Sequence, residues 1–201
     1  MTAPDGPALR EVVVAGHSGD PDTARRGLSA ADPHVRAAAL GALERLGCLS
    51  DDTLGHALAD PDVGVRRRAA ELAAAHPQVE LATALADDDA RVVEVAAWAC
   101  GERETESPDV IARLLDLATR HPDALVREAS VAALGAIGDE RGLAAILAAT
   151  ADKPAVRRRA VLALAPFDGA AVDTALQRAL TDRDWQVRQA AEDLLRAQRS
   201  E

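Results

Sequence analysis

Residues 123–139 read DALVREASVAALGAIGD, and the rest of the chain varies that stretch. A turn at Pro122 leads into the pair Val126-Arg127, small and aliphatic residues follow along one side, and Gly138-Asp139 ends the run. The pattern returns as DPHVRAAALGALERLG (32–47), DVGVRRRAAELAAAH (62–76), KPAVRRRAVLALAPF (153–167) and DWQVRQAAEDLLRAQ (184–198), with a degenerate copy, DARVVEVAAWACG, at 89–101. Anchored on Val35, Val65, Val92, Val126, Val156 and Val187, the six copies follow one another at intervals of 30, 27, 34, 30 and 31 residues.

A period in this range marks a solenoid, in which each unit buries its apolar face only by stacking on its neighbours. Each period holds two short helices and two turns. Composition agrees: Ala is abundant, Tyr is absent and Phe167 is the only Phe, while Val and Ile fall at helical rather than alternating spacing. Ala is the best helix former and lets helices approach closely. The fold expected is therefore all-α: a right-handed α-solenoid of about six helix pairs behind an N-terminal capping helix, forming a single domain over 1–201. The repeats fall near 20–48, 49–76, 77–101, 107–138, 139–167 and 169–198. Residues 8–16 (ALREVVVAG) are the capping helix, residues 1–6 a tail, and the polar end RAQRSE a solvent-facing terminus. The third repeat is expected to pair an outer helix at 79–85 with an inner one at 89–100. Stop signals are expected at Gly47, Pro77, Gly101, Gly138 and Gly169.

The net charge of −10, from 23 basic and 33 acidic residues, disfavours nucleic acid as the partner, because phosphate binding needs a basic surface. No run approaches a membrane span, and the N-terminus has no charged region followed by an apolar core, so neither membrane nor secretion is expected. Cys48 and Cys100 form no CxxC pair or disulfide framework, which points to the cytoplasm.

The pattern D-P-x-V-R-x-x-A-A-x-A-L-G over about residues 20–198 resembles the HEAT-like repeats of bacterial proteins, often grouped with phycobilisome-lyase-type repeats. The resemblance implies that the second helix of each pair lines a concave surface. It also implies a ladder between repeats, made by a turn Asp and the Arg of Val-Arg. The Arg positions are Arg36, Arg66, Arg127, Arg157 and Arg188. The Asp six residues earlier is present as Asp60, Asp87 and Asp182 but replaced by Ala30, His121 and Ala151, so a broken ladder is expected.

Arg66-Arg67-Arg68 and Arg157-Arg158-Arg159 are the strongest basic clusters. The first Arg of each is structural in this reading; the other two of each (Arg67 and Arg68, Arg158 and Arg159) either line the groove for an acidic peptide or phosphate, with Arg67 and Arg158 as the candidate site residues, or are solvated helix starts with local carboxylate partners. His17, His34, His56, His76 and His121 have no metal-ligand spacing and read as solvent-facing turn residues. Asp87-Asp88-Asp89 is accounted for by capping, and Cys100 falls at a core position. The candidate binding patch is on the third repeat. There Val93 replaces the repeat Arg, and Trp98 takes a position that varies across repeats (Gly41, Glu71, Ala132, Leu162, Asp193). Glu94 and Glu102 lie one turn either side of it, with Glu128 one repeat on. An aromatic flanked by carboxylates suits a basic peptide; the alternative is that Trp98 fills a gap in the core.

The functional expectation is a non-catalytic protein- or peptide-binding scaffold without cofactor or metal. The resemblance also implies an alternative, a lyase-type enzyme or chaperone acting on a bound peptide or cofactor. A DNA glycosylase of the alkylpurine type is disfavoured by the acidic charge and by having only two Trp, Trp98 and Trp185.

Overall fold

A computed structural model describes residues 6–103 and 106–198. Most of the expected tail, the last three residues of the polar terminus and two residues of the connection at 101–109 lie outside the described residues. Among the described residues there are twelve α-helices, three 3-10 turns and no strand. In chain order these are α1 (Leu9–Ser18), α2 (Pro21–Gly27), α3 (Pro33–Arg45), α4 (Asp51–Ala57), α5 (Val63–Leu72), α6 (Ala90–Gly101), α7 (Pro108–Arg120), α8 (Ala124–Ile137), α9 (Leu143–Ala149), α10 (Pro154–Ala163), α11 (Ala170–Ala179) and α12 (Trp185–Gln198). The chain divides into two compact units, Met1–Val92 and Val93–Glu201.

Helix starts follow directly from the sequence. Asp32, Asp62 and Asp123 accept backbone N–H bonds from the first turns of α3, α5 and α8, and Ser50 and Ser107 do the same for α4 and α7. Pro stands in the first turn of α2, α3, α7 and α10, where its missing N–H costs nothing. α8 ends at Gly138, whose φ of 69° is a left-handed conformation that other residues adopt at a cost.

The six anchor valines are buried, none more than 4% exposed. One turn further on, Ser130 stands where the other repeats carry Ala39, Ala69, Ala96, Ala160 and Ala191, and its buried hydroxyl has no hydrogen-bond partner. Cys100 is fully buried and burial raises its thiol pKa, while Cys48 is exposed; both are free.

Two expectations change. Residues 79–85 form no α-helix; only a 3-10 turn, Ala84–Ala86, is present. The interval to Val92 is the shortest of the five, and a 3-10 turn at Ala73–Ala75 extends α5 up to His76-Pro77. The few residues left cannot nucleate and cap a helix. Val79, Leu81 and Leu85 are nevertheless buried, so the apolar role survives without the helix. Gly101 is not a left-handed stop but the last residue of α6. A Cβ there would come within 2.9 Å of the Ala133 Cα on α8, so the glycine serves helix approach. Gly135 does the same further along, where a Cβ would lie 2.6 Å from the Ala163 Cα.

Within each unit an Arg–Asp ladder joins consecutive repeats. Arg36 donates through Nε and Nη2 to Asp60 at 2.8 and 2.7 Å, and through Nη1 to the carbonyls of Ala30 and Ala31. Arg66 engages Asp87 at 2.6 and 3.0 Å. In the second unit Arg127 engages Asp152 at 2.6 and 2.7 Å, and Arg157 engages Asp182 at 2.9 and 2.7 Å. Each guanidinium thus clamps its own turn and reaches the next one bidentately, the stronger geometry for such a pair. Those hydrogen bonds hold all four aspartates below the ordinary carboxylate range.

The ladder is more complete than a fixed six-residue offset allows, because Asp152 lies only five residues before Arg157 and supplies the carboxylate that Ala151 lacks. The remaining exceptions have a simple logic. Ala30 belongs to the first repeat, with no earlier repeat Arg to receive. Arg188, in the last, binds the carbonyls of Asp182 and Arg183 and, among the described residues, no carboxylate. Val93 and His121 replace the Arg and the Asp of one and the same rung.

Candidate functional site

The candidate patch is built in the second unit by α6, α8 and α10. Trp98 projects from α6 and is 43% exposed, so it does not fill the core. Helical spacing puts Glu94 and Glu102 on its face, one turn to each side. α8 carries Ala129, Ala132 and Ala136 at the repeat positions that hold Val95, Trp98 and Glu102 in the α6 repeat. These small side chains leave an open trough beside the indole. The resulting cleft, about 640 Å3, is lined by Glu94, Trp98 and Glu102 on one side, by the alanines, Leu125 and Glu128 on α8, and by Arg159 from α10. Leu125 is 55% exposed and extends the apolar surface.

The structure therefore brings Trp98, Glu94, Glu102 and Glu128 together. Arg158 is not in the cleft's lining but reaches Glu128, at 4.0 Å from Nη2 to Oε1. Arg159 approaches the same oxygen at 3.7 Å through an Nε that is buried and makes no hydrogen bond. Arg67 is exposed on α5 in the first unit and has no ion pair among the described residues. Glu94 and Glu102 likewise engage no cation or N–H among the described residues. Of the second and third arginines of the two triplets, which the sequence offers as groove residues, only Arg159 lines this cleft.

In the first unit His76 departs from the expectation of a solvent-facing turn residue. Its Nε2 lies 2.9 Å from Glu44 and its Nδ1 2.8 Å from Asp51, and its side chain is only 16% exposed. Burial on its own would lower the imidazole pKa, but the hydrogen bonds to the two carboxylates outweigh it and raise the value. With both ring nitrogens facing carboxylates, the arrangement favours the imidazolium form. The other acidic cluster is spent locally. Asp87 holds Arg66, and Asp89 is brought down to about 2 by the side-chain and backbone bonds of Arg91. Among the described residues no group of His, Cys, Asp or Glu is placed to hold a metal ion, and no helix is long and apolar enough to cross a membrane.

Residues 79–155 match the family of HEAT repeats. The fold of this chain is similar to that of YibA from E. coli, at 18% identity and a TM-score of 0.65, over 97% of this chain and 77% of that one. Human deoxyhypusine hydroxylase is similar at 20% identity and a TM-score of 0.50, over 96% and 79% of the two chains. A designed armadillo repeat protein, solved in complex with the peptide (KR)4, gives 16% identity and a TM-score of 0.49, over 96% and 87%. At these identities the likeness is one of fold, that of helical-repeat solenoids. No curated protein matches the sequence.

Proposed function

We propose that this HEAT-repeat protein is a non-catalytic scaffold whose second unit captures a basic peptide segment of a protein partner. The observation that carries the reading is Trp98, exposed in a cleft between two carboxylates that engage no cation among the described residues. An arginine or lysine side chain laid against the indole gains from the ring's negative face and from both carboxylates. Phosphate-bearing partners are disfavoured by the same carboxylates. The two free cysteines suit a reducing compartment, and the proposed setting is the cytoplasm.

The test is a fluorescence titration of a Trp185→Phe protein, in which Trp98 is the only indole, with a short Lys/Arg-rich peptide. Trp98→Ala, followed by calorimetry, should weaken binding about tenfold or more while barely changing the melting temperature. Affinity should fall as salt rises. Emission that is already blue-shifted and insensitive to peptide and to quencher, together with a melting temperature that drops sharply in Trp98→Ala, would remove the reading.

A further inference from the structure

The cleft is not uniformly acidic. Along the inner helices of the second unit, the position two residues after the anchor valine runs Glu94, Glu128, Arg158, and the next position runs Val95, Ala129, Arg159. Charge therefore changes sign from α6 to α10. At the α6 end, Glu94 and Glu102 have no cation. At the α10 end two guanidinium groups share one carboxylate oxygen of Glu128, at 4.0 and 3.7 Å, beyond hydrogen-bond length. Arg159 leaves its buried Nε without an acceptor. The two side chains are nevertheless 36% and 40% exposed, so a bound anion can meet them from solvent. One end of the cleft lacks a cation and the other lacks an anion.

We infer that the cleft takes a mixed-charge segment of a protein partner, with a basic side chain between Glu94 and Glu102 against Trp98 and an acidic side chain on Arg158 and Arg159. The inference rests on the basic-peptide reading and narrows it: a purely basic peptide satisfies the α6 end but meets the arginines at the other. Apolar contact in between comes from Leu125, Ala129 and Ala132 on α8. Spacing follows from helix packing. Neighbouring axes lie about 8–10 Å apart, so α6 to α10 spans roughly 16–20 Å. An extended chain advancing about 3.3 Å per residue covers that distance in roughly five or six residues.

The experiment titrates the Trp185→Phe protein with four peptides of equal length: basic and acidic residues at that separation, the same residues made adjacent, all basic, and all acidic. The separated mixed-charge peptide should bind about tenfold more tightly than the all-basic or the adjacent one, the scale of one charge-assisted contact. The double variant Arg158→Ala/Arg159→Ala should lose that preference, and the all-basic peptide should bind it as well as or better than the parent, since Glu128 is released. Glu128→Gln, which leaves both arginines in place, should strengthen the mixed-charge peptide and weaken the all-basic one. Equal affinity of the separated and all-basic peptides for the parent, or equal weakening of both by the arginine variant, overturns the inference and leaves the basic-peptide reading standing. Tightest binding by the acidic peptide, or no response of Trp98 to any of them, overturns both.

Discussion

The tripeptide Arg-Arg-Arg occurs twice at the same repeat position, on α5 in the first unit and on α10 in the second, with different outcomes. The first arginine behaves identically in both: Arg66 and Arg157 each bind the aspartate of the following turn. The other two diverge. On α5, Arg67 has no ion pair among the described residues and Arg68 folds back to Glu71 on its own helix at 2.8 Å. On α10, Arg158 and Arg159 both lean toward Glu128 of the preceding inner helix. The preceding repeat of α5 offers Ala37 and Ala38 where that of α10 offers Glu128 and Ala129. One position is set by the repeat itself, the others by whichever neighbour the stack supplies. Ladder positions therefore report on cohesion, and groove positions, in the function proposed, on binding.

The comparison breaks first if the rungs are unequal. Arg66→Ala and Arg157→Ala should each lower stability by about 2–3 kcal/mol, because each leaves a largely buried aspartate without its cation. Urea denaturation should return the same loss for both. A loss confined to one of them would mean that the ladder is decorative in the other unit. The rung aspartates have lowered pKa values in the folded state, so this contribution is present above about pH 4 and disappears as pH falls through the folded values.

A smaller effect separates the units by pH. His76 has a raised pKa and binds Glu44 and Asp51, so its contribution is complete below the unfolded histidine value of about 6.5 and is lost as pH rises through the folded one. His76→Gln should cost about 1 kcal/mol between about pH 5 and 6.5, and progressively less at higher pH. A cost that stays constant across that range would mean that the ring acts through packing and not charge.

The smallest stability effect is expected at the groove positions. Arg68→Ala and Arg158→Ala should each change unfolding free energy by no more than about 0.5 kcal/mol, since both pairs are solvent-accessible. Only Arg158→Ala should alter peptide affinity. Matching binding changes in both variants would dissolve the distinction between the two triplets.

Much of this architecture is legible in one dimension because its physics is periodic. A valine every thirty or so residues, a capping aspartate three residues before it and an arginine one after it specify a buried anchor, a helix start and a rung. The places where residue spacing misled are those where distance along the chain and distance in space part company. Asp152 completes a rung from a turn one residue shorter than the others, since a bidentate contact requires carboxylate position and not a fixed offset. The segment at 79–85 contributes apolar side chains without being a helix, since a shortened repeat still has to cover its core. His76 meets partners 32 and 25 residues away that no local pattern connects to it. The sequence alone was enough for the helical repeats and their buried anchor valines, because each follows from side chains recurring on one helix face; whether Trp98 fills the core or stands exposed it left open. Which arginines meet Glu128, and that one cleft carries both signs of charge, was decided only when α6, α8 and α10 packed side by side, because contacts between helices depend on which residues face each other across the interface.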